Sequence, residues 1–228
     1  MFVNFNNGKT YNGLIDLSGF AVDSLLDLNP YVYYDIGLSG LPDGLIYTIN
    51  DLSGNNNPAT YYNYPATKEG DKLFFNAQVP ESSKSLYQVS GLNFPGFEAT
   101  IGFRILCSQL PGYIQAIAST QGLNGYHFEW YPPDNRSQLT LFRSNYIFNG
   151  PLFPFLGEIQ IIYESSLQRY NIYLNKNLFV SELPNFGYSS LIIGGSNSSR
   201  MIQGYLKKCI IFNRILHPWE MRELMRLL

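Results

Sequence analysis

From Leu28 almost to the end of the chain, short apolar runs alternate with turn signals, and that punctuation leaves little room for long helices. Turns are written at LPDG (Leu41 to Gly44), SGNNNP (Ser53 to Pro58), KEGD (Lys68 to Asp71) and FPG (Phe94 to Gly96). They continue at LPG (Leu110 to Gly112), YPPDN (Tyr131 to Asn135), NKN (Asn175 to Asn177) and GGSNSS (Gly194 to Ser199). Between them lie strand candidates such as FEATIGFRILC (Phe97 to Cys107), YHFEWY (Tyr126 to Tyr131), EIQIIYE, RYNIYLN and GYLKKCIIFN. In RYNIYLN, Tyr170, Ile172 and Leu174 face one way and Asn171 and Tyr173 the other. Strands at this spacing favour a sandwich or barrel over a βαβ arrangement.

Composition agrees. Of 228 residues, 45% are hydrophobic and only 14% charged, and the missing charge is replaced by 18 Tyr, 16 Phe, 20 Gly and many Asn. Aromatic residues fit a pleated surface, while Gly and Asn fit the turns. A chain of this length can form one large β domain that buries a core without disulfide staples. Residues 1–25 are polar, Asn/Gly-rich and weakly patterned, and read as an N-terminal arm or edge segment; residues 26–228 read as the sandwich. One helix is expected, over HPWEMRELMRLL, with Pro218 at its first position and Trp219, Leu224 and Leu227 or Leu228 on its packing stripe.

The net charge of −2, and the lack of any Lys/Arg run beyond Lys207-Lys208, disfavour nucleic acid as a partner. No window approaches the ~18 apolar residues of a membrane span. The start, MFVNFNNGKTYNG, lacks the apolar stretch of a signal peptide. Cys107 and Cys209 have no neighbouring Cys or His at ligand spacing and read as buried thiols, with a bridge between them left open.

Two segments resemble the concanavalin A-like, laminin-G-type jelly roll. The first is YVYYDIG, then DLSGNNNPAT and the strand KLFFNA. The second runs from LIIGGSNSS to the end, with Gly194, Gly195 and Ser196 before Gly204, and Asn213, Arg214 and Leu216 before the helix. FEATIGFRI and RYNIYLNKN agree in order, although Lys176 stands where that family usually has Gly and His217 stands at the helix cap. The resemblance implies an all-β, two-sheet antiparallel jelly-roll sandwich with a short C-terminal helix. It also implies roles among lectins, adhesion modules, some glycosidases, and surface modules of phage tails and capsids.

Glucanases on that fold place Glu, Asp and a second Glu on one strand, with paired carboxylates ~5 Å apart for a retaining mechanism. EIQIIYE carries Gln160 in place of the Asp, and Glu158 and Glu164 stand ~20 Å apart on one face. Two histidines, His127 and His217, form no zinc cluster. The chain is therefore expected not to be an enzyme, with no catalytic residue.

Sugar sites stack an aromatic face on a pyranose and hydrogen-bond its hydroxyls. Candidate contacts are Tyr61, Tyr62 and Tyr64 after the DLSGN turn, and His127, Glu129 and Tyr131 with Asn135. A third group is Tyr146 and Phe148, in an aromatic connection from Phe142 to Phe155 of the kind that marks protein contacts. No cofactor is expected. A calcium site at the rim would draw on Asp51, Asn55 and Asn56, which read more easily as turn chemistry.

The leading expectation is a non-catalytic virion-surface protein, made in the host cytoplasm, that contacts other virion proteins or surface glycans. Nucleic acid and membrane are not among its partners, and it works as a homo-oligomer or within a larger assembly. A stand-alone carbohydrate-binding lectin comes second and a glycoside hydrolase third.

Overall fold

Asparagine sets several of the reversals: Asn29, Asn56 and Asn175 adopt left-handed backbone with φ of 53°, 56° and 45°. Lys176 follows Asn175 at φ 72°, so the NKN turn becomes a tight hairpin despite lacking the usual glycine.

The computed structural model describes residues 22–76, 78–80, 83–92, 98–107, 157–165, 170–181, 190–196 and 200–228. It also gives the backbone of the strands at 3–4, 10–11, 115–121, 127–130, 136–140 and 147–152. In chain order the strands begin β1 (Val3–Asn4), β2 (Thr10–Tyr11), β3 (Val32–Asp35), β4 (Gly44–Ile46), β5 (Thr48–Ile49), β6 (Ala59–Tyr61) and β7 (Ala66–Glu69). Next come β8 (Lys72–Phe75), β9 (Tyr87–Ser90), β10 (Ala99–Cys107), β11 (Gln115–Gln121), β12 (His127–Trp130), β13 (Arg136–Thr140) and β14 (Ile147–Leu152). The last are β15 (Gly157–Ser165), β16 (Tyr170–Leu174), β17 (Asn177–Ser181), β18 (Ser190–Ile193), β19 (Gly195–Ser196), β20 (Arg200–Met201) and β21 (Gly204–Phe212), before helix α1 (Pro218–Leu227).

The larger sheet runs β17-β16-β15-β10-β21-β8-β7-β4, with β3 also paired to β21; the smaller runs β12-β11-β18-β9-β6-β5. The ladders within both are antiparallel. This is the expected all-β sandwich with a short C-terminal helix. Tyr34, Phe75, Tyr87, Phe103, Ile161, Leu191 and Cys209 belong to its main core cluster. Cys107 and Cys209 are free and buried, and burial pushes the Cys107 thiol up to about 12. Among the described residues, no helix is long and apolar enough to cross a membrane. The stretch Ile147–Leu152, expected as part of a connection, is instead strand β14 paired with β13; its Ile, Phe and Leu suit a strand.

Alternation along β15 buries Ile159, Ile161 and Tyr163 in the main core. Glu158, Gln160, Ile162 and Glu164 therefore share the outer face, as the sequence requires. On that face α1 packs over Ile162 and Ile210. Gly102 lets it settle, because a Cβ there would stand 2.7 Å from Leu228 Cδ2. The buried stripe is Met221, Leu224 and Leu228, whereas Trp219 and Leu227 are only partly covered.

Both ends of α1 are tied down, the first to the connection that leads into it and the last to the sheet. Glu220 Oε2 accepts the His217 N–H at 2.8 Å, and the Glu220 carboxylate takes two bonds from Arg214, at 2.6 and 2.7 Å. At the other end the last carbonyls of the helix lack partners within it. Gln160 Nε2 donates to the Met225 carbonyl at 2.9 Å and Arg104 Nη1 to that of Leu228 at 3.1 Å. Gln160, where the glucanase pattern has Asp, thus caps a helix.

Candidate functional site

Two strands of the larger sheet cross into the smaller one at the same level. β4 and β7 pair up to Ile46 and Ala66; the same two chain segments then pair as β5 and β6 from Thr48 and Thr60 onward. Tyr47 sits between β4 and β5, and Tyr62 to Pro65 sit between β6 and β7. The Tyr61 N–H donates to the Tyr47 carbonyl at 3.0 Å and holds the two crossings together. Strands that switch sheets in this way make the corners of sandwiches.

A crossing breaks the ladder, and the fold repairs the break with one side chain. The hydroxyl of Tyr87, fully buried, accepts the Ala66 N–H at 2.9 Å and donates to the Ile46 carbonyl. Burial pushes that hydroxyl well above its ordinary pKa, so it keeps the proton it donates. The segment after β6 is fastened alongside: Tyr62 N–H donates to the Leu86 carbonyl at 2.7 Å and Asn63 Nδ2 to that of Lys84 at 3.1 Å.

The tyrosines on this corner face solvent. Tyr47 is 56% exposed, Tyr61 44%, Tyr62 55% and Tyr64 42%, and Leu45 beside them is 47% exposed. These five stand among eight large hydrophobic side chains exposed within the described residues, so the apolar exposure is concentrated here. The rings of Tyr47 and Tyr61 meet edge to face, with centroids 5.5 Å apart and planes at 79°. The perpendicular pair is anchored from below by the Tyr87 bonds. It offers ring faces for an apolar surface and hydroxyls for hydrogen bonds.

The structure brings together Tyr61, Tyr62 and Tyr64 of the expected contacts. It does not bring His127 and Glu129 to them. Both lie on β12, the far edge of the smaller sheet, opposite Ser119 and Ala116 of β11, with β11, β18 and β9 between them and β6. At ~4.8 Å per strand that is roughly 19 Å. Phe148 lies on β14 opposite Leu139. Tyr131, Asn135 and Tyr146 lie outside the described residues. Sequence reasoning missed Tyr47: a lone Tyr in GLIYTIN looks like part of a core strand, and only the change of sheet exposes it.

The acids of β15 are engaged on the outer face. Glu158 pairs with Arg104 and lies 3.6 Å from Lys207, and Glu164 accepts from Asn171. Asp51, first of the possible calcium ligands, holds its own turn: Oδ1 accepts from the N–H groups of Tyr33 and Ser53 at 2.9 Å, and Oδ2 from that of Asn57 at 3.0 Å. The Asn55 amide donates to the Pro30 and Tyr31 carbonyls. Among the described residues no three His, Cys, Asp or Glu side chains cluster as a metal site.

No family model matches the sequence, and neither does any curated protein. Solved structures do match in fold. Trypanosoma rangeli sialidase in complex with sialic acid superposes with a TM-score of 0.65 at 12% identity, over 85% of this chain and 32% of that one. The binding domain of Botulinum Neurotoxin DC in complex with SialylT gives 0.63 at 14% identity, over 89% of this chain and 52% of that. Domain 4 of a GH43 extracellular arabinanase from Geobacillus stearothermophilus, in complex with arabinotriose, gives 0.60 at 14% identity, over 86% and 98%.

This chain shares their fold. It spans about a third of the sialidase chain, about half of the neurotoxin domain and nearly all of the arabinanase domain. The expectation that the chain is not an enzyme is corrected by these neighbours. A sialidase and an arabinanase domain carry the same sandwich, which points to glycoside-hydrolase-like folds. The sequence argument weighed one catalytic layout on one strand, and failing that layout does not separate this chain from such proteins. None of the three is a phage or capsid protein, so the expected virion setting gains nothing from them.

Proposed function

We propose that this chain is a carbohydrate-binding sandwich of the concanavalin A-like, laminin-G-type kind, and that the corner of Tyr47, Tyr61, Tyr62 and Tyr64 is where it meets a glycan. The carrying observation is the exposure of four tyrosines on a corner whose backbone is fixed by the buried Tyr87 hydroxyl. Exposed apolar surface costs a folded protein solubility, and a fixed cluster of it marks a contact surface. Tyrosine fits a sugar in particular, because the ring covers the apolar face of a pyranose while the hydroxyl reaches its rim. The sequence resemblance supports the reading, as does the arabinotriose complex of the arabinanase domain, which the match spans almost whole.

The test is a glycan array probed with the whole chain, followed by competition with the free sugar of any hit. Saturable binding that the free sugar displaces is expected. An array with no signal above background at micromolar protein would sink the reading.

A further inference from the structure

The exposed tyrosines of the corner occupy two places along one neighbouring segment. Tyr61 lies opposite Tyr87, and Tyr64 bridges to Ser85, two residues earlier on the same segment. At 3.2–3.4 Å per residue, the two backbone positions stand roughly 7 Å apart along it. Tyr47 belongs to the first place: its carbonyl takes the Tyr61 N–H, and the two ring centroids are 5.5 Å apart. Tyr62 and Tyr64 lie beyond, on the stretch that crosses to β7.

Every residue from Tyr61 to Ala66 is fastened. The N–H groups of Tyr61 and Tyr62 donate to the Tyr47 and Leu86 carbonyls, and the Asn63 amide to that of Lys84. Tyr64 bridges to Ser85, whose buried hydroxyl donates to the Pro65 carbonyl at 3.3 Å, and Ala66 is held by Tyr87. The separation between the two places is therefore set before anything binds, and a ligand spanning both does not have to order the protein.

The corner is also open. Its tyrosines stand on the surface, half exposed, and do not enclose a cavity. A pocket gains affinity by burying most of one small ligand. An open platform gains it by touching more of a longer one, because the second contact of a linked ligand is intramolecular. One pyranose offers its apolar face to one aromatic ring. A single sugar at Tyr61 would leave the rings of Tyr62 and Tyr64 in water.

We propose that the corner binds a chain of two or more linked pyranoses, one sugar at Tyr47 and Tyr61 and a neighbouring sugar at Tyr62 and Tyr64. This rests on the reading of the corner as a glycan site and narrows it from sugar in general to oligosaccharide. Tyr64 is the residue that makes chain length count.

The experiment is an array of linear oligosaccharide ladders, from one sugar to four, in the gluco, galacto, manno and xylo series. NMR titration of the whole chain with each member of the best ladder follows. Wild type, Tyr64→Ala, Tyr64→Phe and the Tyr47→Ala/Tyr61→Ala double variant are compared. These side chains are exposed, and thermal melts confirm that each variant is folded.

Affinity should rise about tenfold or more from one sugar to three, roughly 1.4 kcal/mol. Tyr64→Ala should remove most of that gain and leave the monosaccharide unchanged, whereas Tyr64→Phe, which keeps the ring, should retain it. The double variant should weaken every length. Equal affinity for one sugar and three would overturn the proposal, as would a gain that survives Tyr64→Ala. If the double variant still weakens binding in either case, the corner remains a glycan site and only the chain-length inference falls. Binding that the double variant leaves intact at every length, or no binding to any ladder at millimolar sugar, would overturn both.

Discussion

The hydroxyl of Tyr87 accepts the backbone N–H of Ala66 at 2.9 Å, and through this bond a residue of the smaller sheet closes a gap in the larger one. Ala66 belongs to the last pair of the β4–β7 ladder, and beyond it the chain turns toward the other sheet. Buried backbone groups left without partners are costly, so a corner of this kind is stable only where something replaces the missing ladder bond. The tyrosines carried on the corner owe their fixed positions to that replacement.

Tyr87→Phe keeps the ring and removes both bonds. We expect a loss of roughly 1–3 kcal/mol, since two buried groups lose their partner. For a chain of this size that is about 2–12 °C in Tm. Thermal melts check the size of the loss. Binding at the corner should weaken as well, because the segments bearing Tyr47 and Tyr61 lose their common anchor.

Gln160→Glu tests the helix cap. At neutral pH a carboxylate cannot donate to the Met225 carbonyl and repels the negative end of α1. We expect about 1–3 kcal/mol of destabilisation at pH 7. In acid the new side chain protonates and regains a donor, so the deficit should shrink. Urea midpoints of both proteins at pH 7 and pH 4 measure it.

Glu220 gives the chain an acid-sensitive joint. Burial by itself raises the Glu220 carboxyl, but the Arg214 guanidinium and the His217 N–H outweigh it and hold the group below the usual carboxylate range. A folded pKa below the unfolded one means that the stabilisation is present above about pH 4.5 and is lost as pH falls through the lower, folded value. Glu220→Gln should therefore be less stable than wild type at pH 7, by about 1–3 kcal/mol, with the gap closing toward pH 3. Unfolding curves across that range decide it; a gap independent of pH would contradict the linkage.

Much of this architecture is written locally. Asp51 in DLSGN binds its own turn, Pro218 starts α1, and the alternation of EIQIIYE puts Glu158 and Glu164 on the outer face. What the sequence hides is long-range. Tyr47 is exposed because β4 and β5 belong to different sheets, and nothing in GLIYTIN marks the switch. Gln160 looks like a failed catalytic position because its partner, the Met225 carbonyl, lies 65 residues away on a helix that packs over the strand. That His127 and Glu129 fall on one face is a property of alternation within one strand. Their separation from Tyr61 is a property of sheet order, which no local pattern specifies.

The central claim is that the tyrosine corner binds glycan, and one titration tests it directly. Calorimetry of the best array hit against wild type and the Tyr47→Ala/Tyr61→Ala double variant should show at least about a tenfold loss of affinity, roughly 1.4 kcal/mol. The variant's Tm should stay within a few degrees of wild type, because both side chains are exposed. Unchanged affinity in a folded double variant would contradict the assignment.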